Sequence, residues 1–220
     1  MTTPQRRQQL LVVDDHEAVL SGTVSALQKD YPDADIYTVR TAQDAATSIA
    51  TVLPDLLVVD LSIPETAGAP SLPETGIGLL RSLMQQYPEL NIVVQSAHVK
   101  SLVRLKPAID AHQGGFTIVD KSLPLHEMLT RVSWAMQGLI YTPKDMRSGL
   151  EVKPKWLQVL QLAFKEGLQD KAIADRMNIS ERTVRHYWSK VQDALGIYPD
   201  SGKNIRIQTE IRAREEGLID

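Results

Sequence analysis

The sequence predicts an α/β fold, a doubly wound five-stranded parallel sheet, followed by a small all-α domain of four helices. Three observations predict it. Short apolar runs alternate with helical patterns five times between residues 10 and 137. The most apolar of these, Leu10-Leu11-Val12-Val13 and Leu56-Leu57-Val58-Val59, lack polar alternation, as strands covered on both faces do. Beyond residue 155 the apolar period becomes helical throughout.

The first strand, residues 10–13, stops abruptly at Asp14-Asp15. Val19, Val24 and Leu27 recur at helical spacing until Tyr31-Pro32 ends the pattern. Residues 36–39 form the second strand, and Thr41 caps a helix reaching about Val52. The third strand, 56–59, again ends on an acid, Asp60. Residues 62–75 are rich in Pro, Ser, Thr and Ala and read as a long loop. A helix from Gly78 to Gln86, a strand over 91–94, a helix over 100–111 and a strand over 116–119 follow. An amphipathic helix over 125–137 closes the series. Leu139-Ile140-Tyr141 reads as its tail and residues 142–153 as a connector, which divides the chain into 8–137, a linker over 138–154, and 155–220.

Charge divides at the same place. Residues 1–137 hold 10 Lys+Arg against 15 Asp+Glu, a net of −5, and residues 138–220 hold 14 against 12, a net of +2. Only the second part suits a polyanion, and so small an excess implies weak binding by a single copy. There is no cysteine, which excludes disulfides, thiolate metal sites and cysteine nucleophiles. The longest apolar runs span four residues, far short of a membrane crossing, and no long apolar segment follows Arg6 and Arg7. The expectation is a soluble cytoplasmic protein.

Ligand sites in doubly wound sheets lie beyond the carboxyl ends of the strands. Asp14, Asp15, Asp60, Ser96 and Lys121 all fall at or just past such ends. Helix capping would account for one of the acids but not for the set. Three acids brought together repel unless a cation intervenes, and an all-oxygen site suits Mg2+ or Mn2+. Asp60 could then serve as a nucleophile, Lys121 as a cation for phosphoryl oxygens and Ser96 as a hydroxyl donor. His16 and His98 border this pocket as polar rim residues, while His112 and His126 read as solvated surface.

These residues resemble the receiver domains of bacterial two-component response regulators, through VVDDH at 12–16, VVDLSIP at 58–64, QSAH at 95–98 and DKSLP at 120–124. The resemblance implies that Asp60 accepts a phosphoryl group from a sensor histidine kinase. It also implies that Asp14, Asp15, Asp60 and the Ser62 carbonyl hold the metal, with Ser96 and Lys121 completing the site. No enzymatic turnover is expected beyond slow self-dephosphorylation. Three departures stand out: a longer loop after Pro64, a longer stretch from Ser96 to Lys121, and Ile118 where that family tends to carry a switch aromatic.

In the second part, Trp156, Leu157, Leu160 and Phe164 share a helical face before Gly167. Residues 170–177, the turn Asn178-Ile179 and a helix capped by Ser180 have the shape of a helix-turn-helix. Val184, Trp188, Val191 and Leu195 form the inner face of the capped helix, leaving Arg185, Ser189 and Gln192 outside. A last helix runs from Ile205 to Glu216. Residues 159–197 resemble the LuxR-type output domain of the same regulators. That implies groove-facing Arg185, His186, Ser189 and Lys190, phosphate contacts from Lys171, Ser180 and Thr183, binding to promoter DNA, and a homodimer when active. The competing reading is a phosphorylation-independent DNA-binding regulator whose first domain docks a protein or ligand.

Overall fold

The protein is described here from a computed structural model covering residues 6–142, 152–200 and 202–219. These residues fall into two compact units, one built on a sheet and one on helices.

All five expected strands are present: β1 (Gln9–Val13), β2 (Asp35–Val39), β3 (Leu56–Val59), β4 (Asn91–Ser96) and β5 (Phe116–Asp120). A sixth, β6 (Ile140–Tyr141), pairs parallel to β5 and corrects the five-stranded expectation. Two residues are too few for any alternation to announce a strand. The order is β2-β1-β3-β4-β5-β6, with every pairing parallel. The order reverses between β1 and β3, where a doubly wound sheet opens its crevice. Val13 lies level with both Val39 and Val59, so Asp14 and Asp60 leave the sheet side by side. The Asp60 N–H donates to the Val13 carbonyl (2.9 Å) and the Asp14 N–H to that of Val39 (3.3 Å).

The flanking helices are α1 (Glu17–Asp30), α2 (Ala42–Thr51), α3 (Pro73–Gln86), α4 (Lys106–Ala111) and α5 (Leu125–Met136). Thr41 caps α2 as expected, its side chain accepting from the Asp44 N–H. The helix α3 begins five residues before the expected Gly78, because a proline at its first turn gives up only an N–H that has no helical partner there. Gly76 lets that helix approach the segment after β3. A Cβ there would stand 2.4 Å from the Leu61 backbone, and its N–H donates to the Leu61 carbonyl (3.1 Å). The helix expected over 100–111 is a 3-10 turn, Val99–Leu105, before it becomes α4 with Pro107 in its first turn. His112 is buried rather than solvated. Its Nε2–H donates to the Leu90 carbonyl at 2.7 Å, and its ring meets Phe116 edge-on. The Arg131 guanidinium lies over both the Trp134 and Tyr141 rings, at 4.4 and 4.1 Å, and the two rings also meet each other at 5.0 Å, tying β6 to α5. The connector expected over 142–153 lies mostly outside the described residues.

The second unit holds α6 (Pro154–Phe164), α7 (Asp170–Met177), α8 (Glu181–Leu195) and α9 (Ile205–Glu215), and residues Lys100–Arg104 cluster with it. Its core is Val159, Leu160, Ile173, Val184, Trp188, Val191, Leu195 and Ala213. Val159 is fully buried, while Trp156 and Leu157, expected on the inner stripe of α6, are only partly so. Asn178 takes the left-handed conformation that ends α7. Ser180 then accepts the Thr183 N–H at 3.1 Å, and the left-handed Gly196 closes α8. Asp170 receives the Trp188 Nε1–H (3.0 Å) and both contacts of Arg206 Nη2, whose guanidinium stacks 3.6 Å from the Trp188 ring. This joins α7, α8 and α9 by polar as well as apolar contacts. Among the described residues, no helix is long and apolar enough to cross a membrane.

Candidate functional site

The carboxyl ends of β1, β3, β4 and β5 bring the expected pocket residues together. Asp14 and Asp60 are 3% and 4% exposed, Asp15 is half-buried and Ser96 is fully enclosed. Lys121 reaches back from the end of β5, with its Nζ 2.5 Å from Asp14 Oδ2 and 2.7 Å from Asp60 Oδ2. Burial alone would pull its pKa down. The hydrogen bonds and charges of Asp14 and Asp60 outweigh this and hold it above the ordinary lysine value. The lysine backbone is fixed too, its N–H donating to the Ser96 carbonyl (3.2 Å).

The histidines of the rim are engaged. His16 donates its N–H to Asp14 Oδ1 (2.9 Å) and sets Nδ1 2.7 Å from Asp15 Oδ1. His98 donates its N–H to Ser96 Oγ (3.2 Å), and its Nδ1 lies 3.2 Å from the Ser62 hydroxyl. Sequence reasoning missed one neighbour altogether. Ser71, in the long loop, donates its hydroxyl to Asp15 Oδ2 at 2.5 Å. Its only sequence signal was the length of the loop that carries it. Ile118, which stands where the aromatic is expected, and the nearby Phe116 are both buried within β5.

Donor atoms of Asp14, Asp15, His16 and Asp60 lie within 4.8 Å of one another. Three carboxylates against one ammonium leave two negative charges, which matches a divalent cation. Asp60 Oδ1 is buried without a hydrogen-bond partner, while Oδ2 is held by Lys121. An unsatisfied carboxylate oxygen at this depth is costly unless something binds it. The donor set therefore fits a hard divalent ion.

In the second unit, Lys171, Ser180, Arg185, His186, Ser189 and Lys190 are exposed and Thr183 is half-buried. Arg185, His186, Ser189 and Lys190 occupy the side of α8 opposite its buried residues Val184, Trp188, Val191 and Leu195. Ser180 and Thr183 are committed to the cap, with their hydroxyls 2.9 Å apart. Gln192, expected on the outer side, instead donates to Thr209 Oγ1 (3.4 Å) on α9.

A carboxylate and lysine pocket at the switch point of a doubly wound sheet, joined to a capped helix-turn-helix, defines a two-component regulator of transcription. The response regulator receiver domain family matches residues 10–133, and the chain belongs to it. Residues 154–199 match the bacterial regulatory proteins of the luxR family. The DNA-binding transcriptional activator DevR/DosR of Mycobacterium tuberculosis is 28% identical over 86% of this chain and 88% of its own. The activator EvgA of Escherichia coli is 23% identical over 84% and 90%. Among solved structures, a complex of the response regulator RcsB with DNA superposes with a TM-score of 0.59. It is 20% identical and covers 95% of this chain and 98% of that one, a likeness of fold.

Proposed function

We propose that Asp60 is the phosphoacceptor through which a sensor histidine kinase controls promoter binding by the second unit. The observation that carries this is the Asp60 carboxylate, one oxygen held by Lys121 and the other buried and free. Oδ1 attacks the phosphorus of a phosphohistidine. The P–N bond breaks, its electron pair leaves with the imidazole, and Asp60 becomes an acyl phosphate. Lys121 exchanges one carboxylate for a phosphoryl oxygen, and the Ser96 hydroxyl approaches another. Asp14, Asp15, Asp60 and the Ser62 carbonyl would hold Mg2+ or Mn2+, which supplies charge neutralisation at the phosphoryl group. The chain modifies only itself, with slow loss of the phosphoryl group to water as its sole turnover.

On DNA, Arg185, His186, Ser189 and Lys190 face the major groove, while Lys171, Ser180 and Thr183 meet phosphates. The small positive excess of this part favours a homodimer as the binding species. Incubation with a small phosphodonor and Mg2+ tests the first step. Wild type takes up one phosphoryl group and Asp60→Asn none; equal labelling of the two defeats the proposal.

One observation favours a second reading. With Ile118 buried in place of an aromatic, the hydroxyl-to-aromatic relay is altered. In that case the receiver fold docks a partner and DNA binding ignores phosphorylation. Beryllofluoride distinguishes the two, because DNA affinity unchanged by it selects the docking role.

A further inference from the structure

We infer that Ser71, delivered by the extended loop after β3, is a positioning residue for the cation ligand Asp15. The inference rests on reading the pocket as a phosphoacceptor site. The loop is closed on itself: Ile63, fully buried, forms an antiparallel bridge with Leu72, whose N–H donates to the Ile63 carbonyl at 3.4 Å. Between them the chain turns at Gly68, with φ of 85°, and the Ala69 N–H donates to the Thr66 carbonyl (3.0 Å). Its outgoing limb is tied to α2, the carbonyls of Pro64 and Glu65 accepting from the N–H groups of Ala42 and Gln43 at 3.0 and 3.1 Å. Its returning limb ends at Leu72, the residue immediately before α3. Ser71 is therefore held by backbone on both sides rather than carried on a loose tip.

Asp15 needs such support more than its neighbours. Asp14 and Asp60 share Lys121, whereas among the described residues no lysine pairs with Asp15. Its two oxygens differ: Oδ1 lies 2.7 Å from His16 Nδ1 but is buried without a hydrogen bond, so the one side-chain donor to this carboxylate among the described residues is the Ser71 hydroxyl on Oδ2 (2.5 Å). The unpartnered Asp60 Oδ1 marks the same space as the one a ligand enters. Hydrogen bonds from outside the coordination sphere fix the angle at which a carboxylate presents itself, and their loss weakens metal binding without removing a ligand. The loop thus replaces lysine pairing with a neutral donor that leaves the charge of Asp15 intact for the cation.

The test is a titration of the full-length chain with Mn2+, following the free ion by electron paramagnetic resonance, with Mg2+ as competitor. Ser71→Ala weakens Mn2+ binding about tenfold, and Ser71→Thr restores most of it. The phosphorylation rate at saturating metal stays at the wild-type value, while the metal concentration needed for half that rate rises with the dissociation constant. Affinity in Ser71→Ala equal to or tighter than wild type overturns the inference, as does Ser71→Thr binding as weakly as Ser71→Ala. Asp15→Asn sets the floor. Wild type that binds no Mn2+ overturns the pocket reading and this inference with it, an outcome visible before any Ser71 variant is compared.

Discussion

At the scale of single residues, the pKa values of Lys121 in the pocket and His112 in the core are moved in opposite directions by their surroundings. The raised pKa of Lys121 means that its pairing contributes in full below the ordinary lysine value of 10.5, wherever Asp14 and Asp60 are ionised, and is lost as pH rises through the folded value above it. Lys121→Met leaves two buried carboxylates facing one another. It should cost about 3 kcal/mol of stability at neutral pH without divalent ions, a loss that Mg2+ partly restores, measured by urea unfolding. His112 moves the other way. Burial lowers its pKa, only partly opposed by the Leu90 carbonyl, so the folded protein keeps the ring neutral when the unfolded chain protonates. Its contribution is complete above pH 6.5 and falls as pH drops from there toward the folded value. Unfolding at pH 7.5, 6.5 and 5.5 should show wild type losing more stability on acidification than His112→Gln.

At the scale of elements, local signals and long-range contacts divide the labour. Thr41 and Ser180 each cap the helix that follows by a hydrogen bond spanning three residues, and both caps were legible because nothing distant is needed to make them. Ser180→Ala should lower the stability of the helical unit by about 1 kcal/mol, read from its thermal transition. The early start of α3 was hidden because Pro73 reads as a loop residue until the Leu61 backbone is seen against Gly76. Gly76→Ala pushes that helix away from the Leu61 backbone and should cost about 3 kcal/mol, near the upper end for overpacking. The pocket acids announced themselves through strand ends. Ser71 did not, since its partner Asp15 lies 56 positions away and only the closed loop joins them.

At the scale of the whole molecule, charge is arranged by part: an acidic half and a half with a net of +2. Two copies presenting Lys171, Arg185 and Lys190 offer six cations to a duplex. Promoter affinity should accordingly fall about a thousandfold between 50 and 200 mM salt, and Lys171→Ala should flatten that slope without altering preference among sequences. The alternation of strands and helices made the sheet legible through β5. Its last strand escaped because β6 is defined by what it lies beside, Phe116 and Thr117, and by the Arg131 that Tyr141 covers. That short strand matters at the bench. A fragment cut after residue 137 strips the border from β5, whose residues 116–119 are all buried, and leaves its main-chain donors and acceptors open to another copy. Such a fragment should scatter light within hours at concentrations where one ending at 142 stays clear. Where the chain is cut would decide whether the isolated receiver can be handled at all.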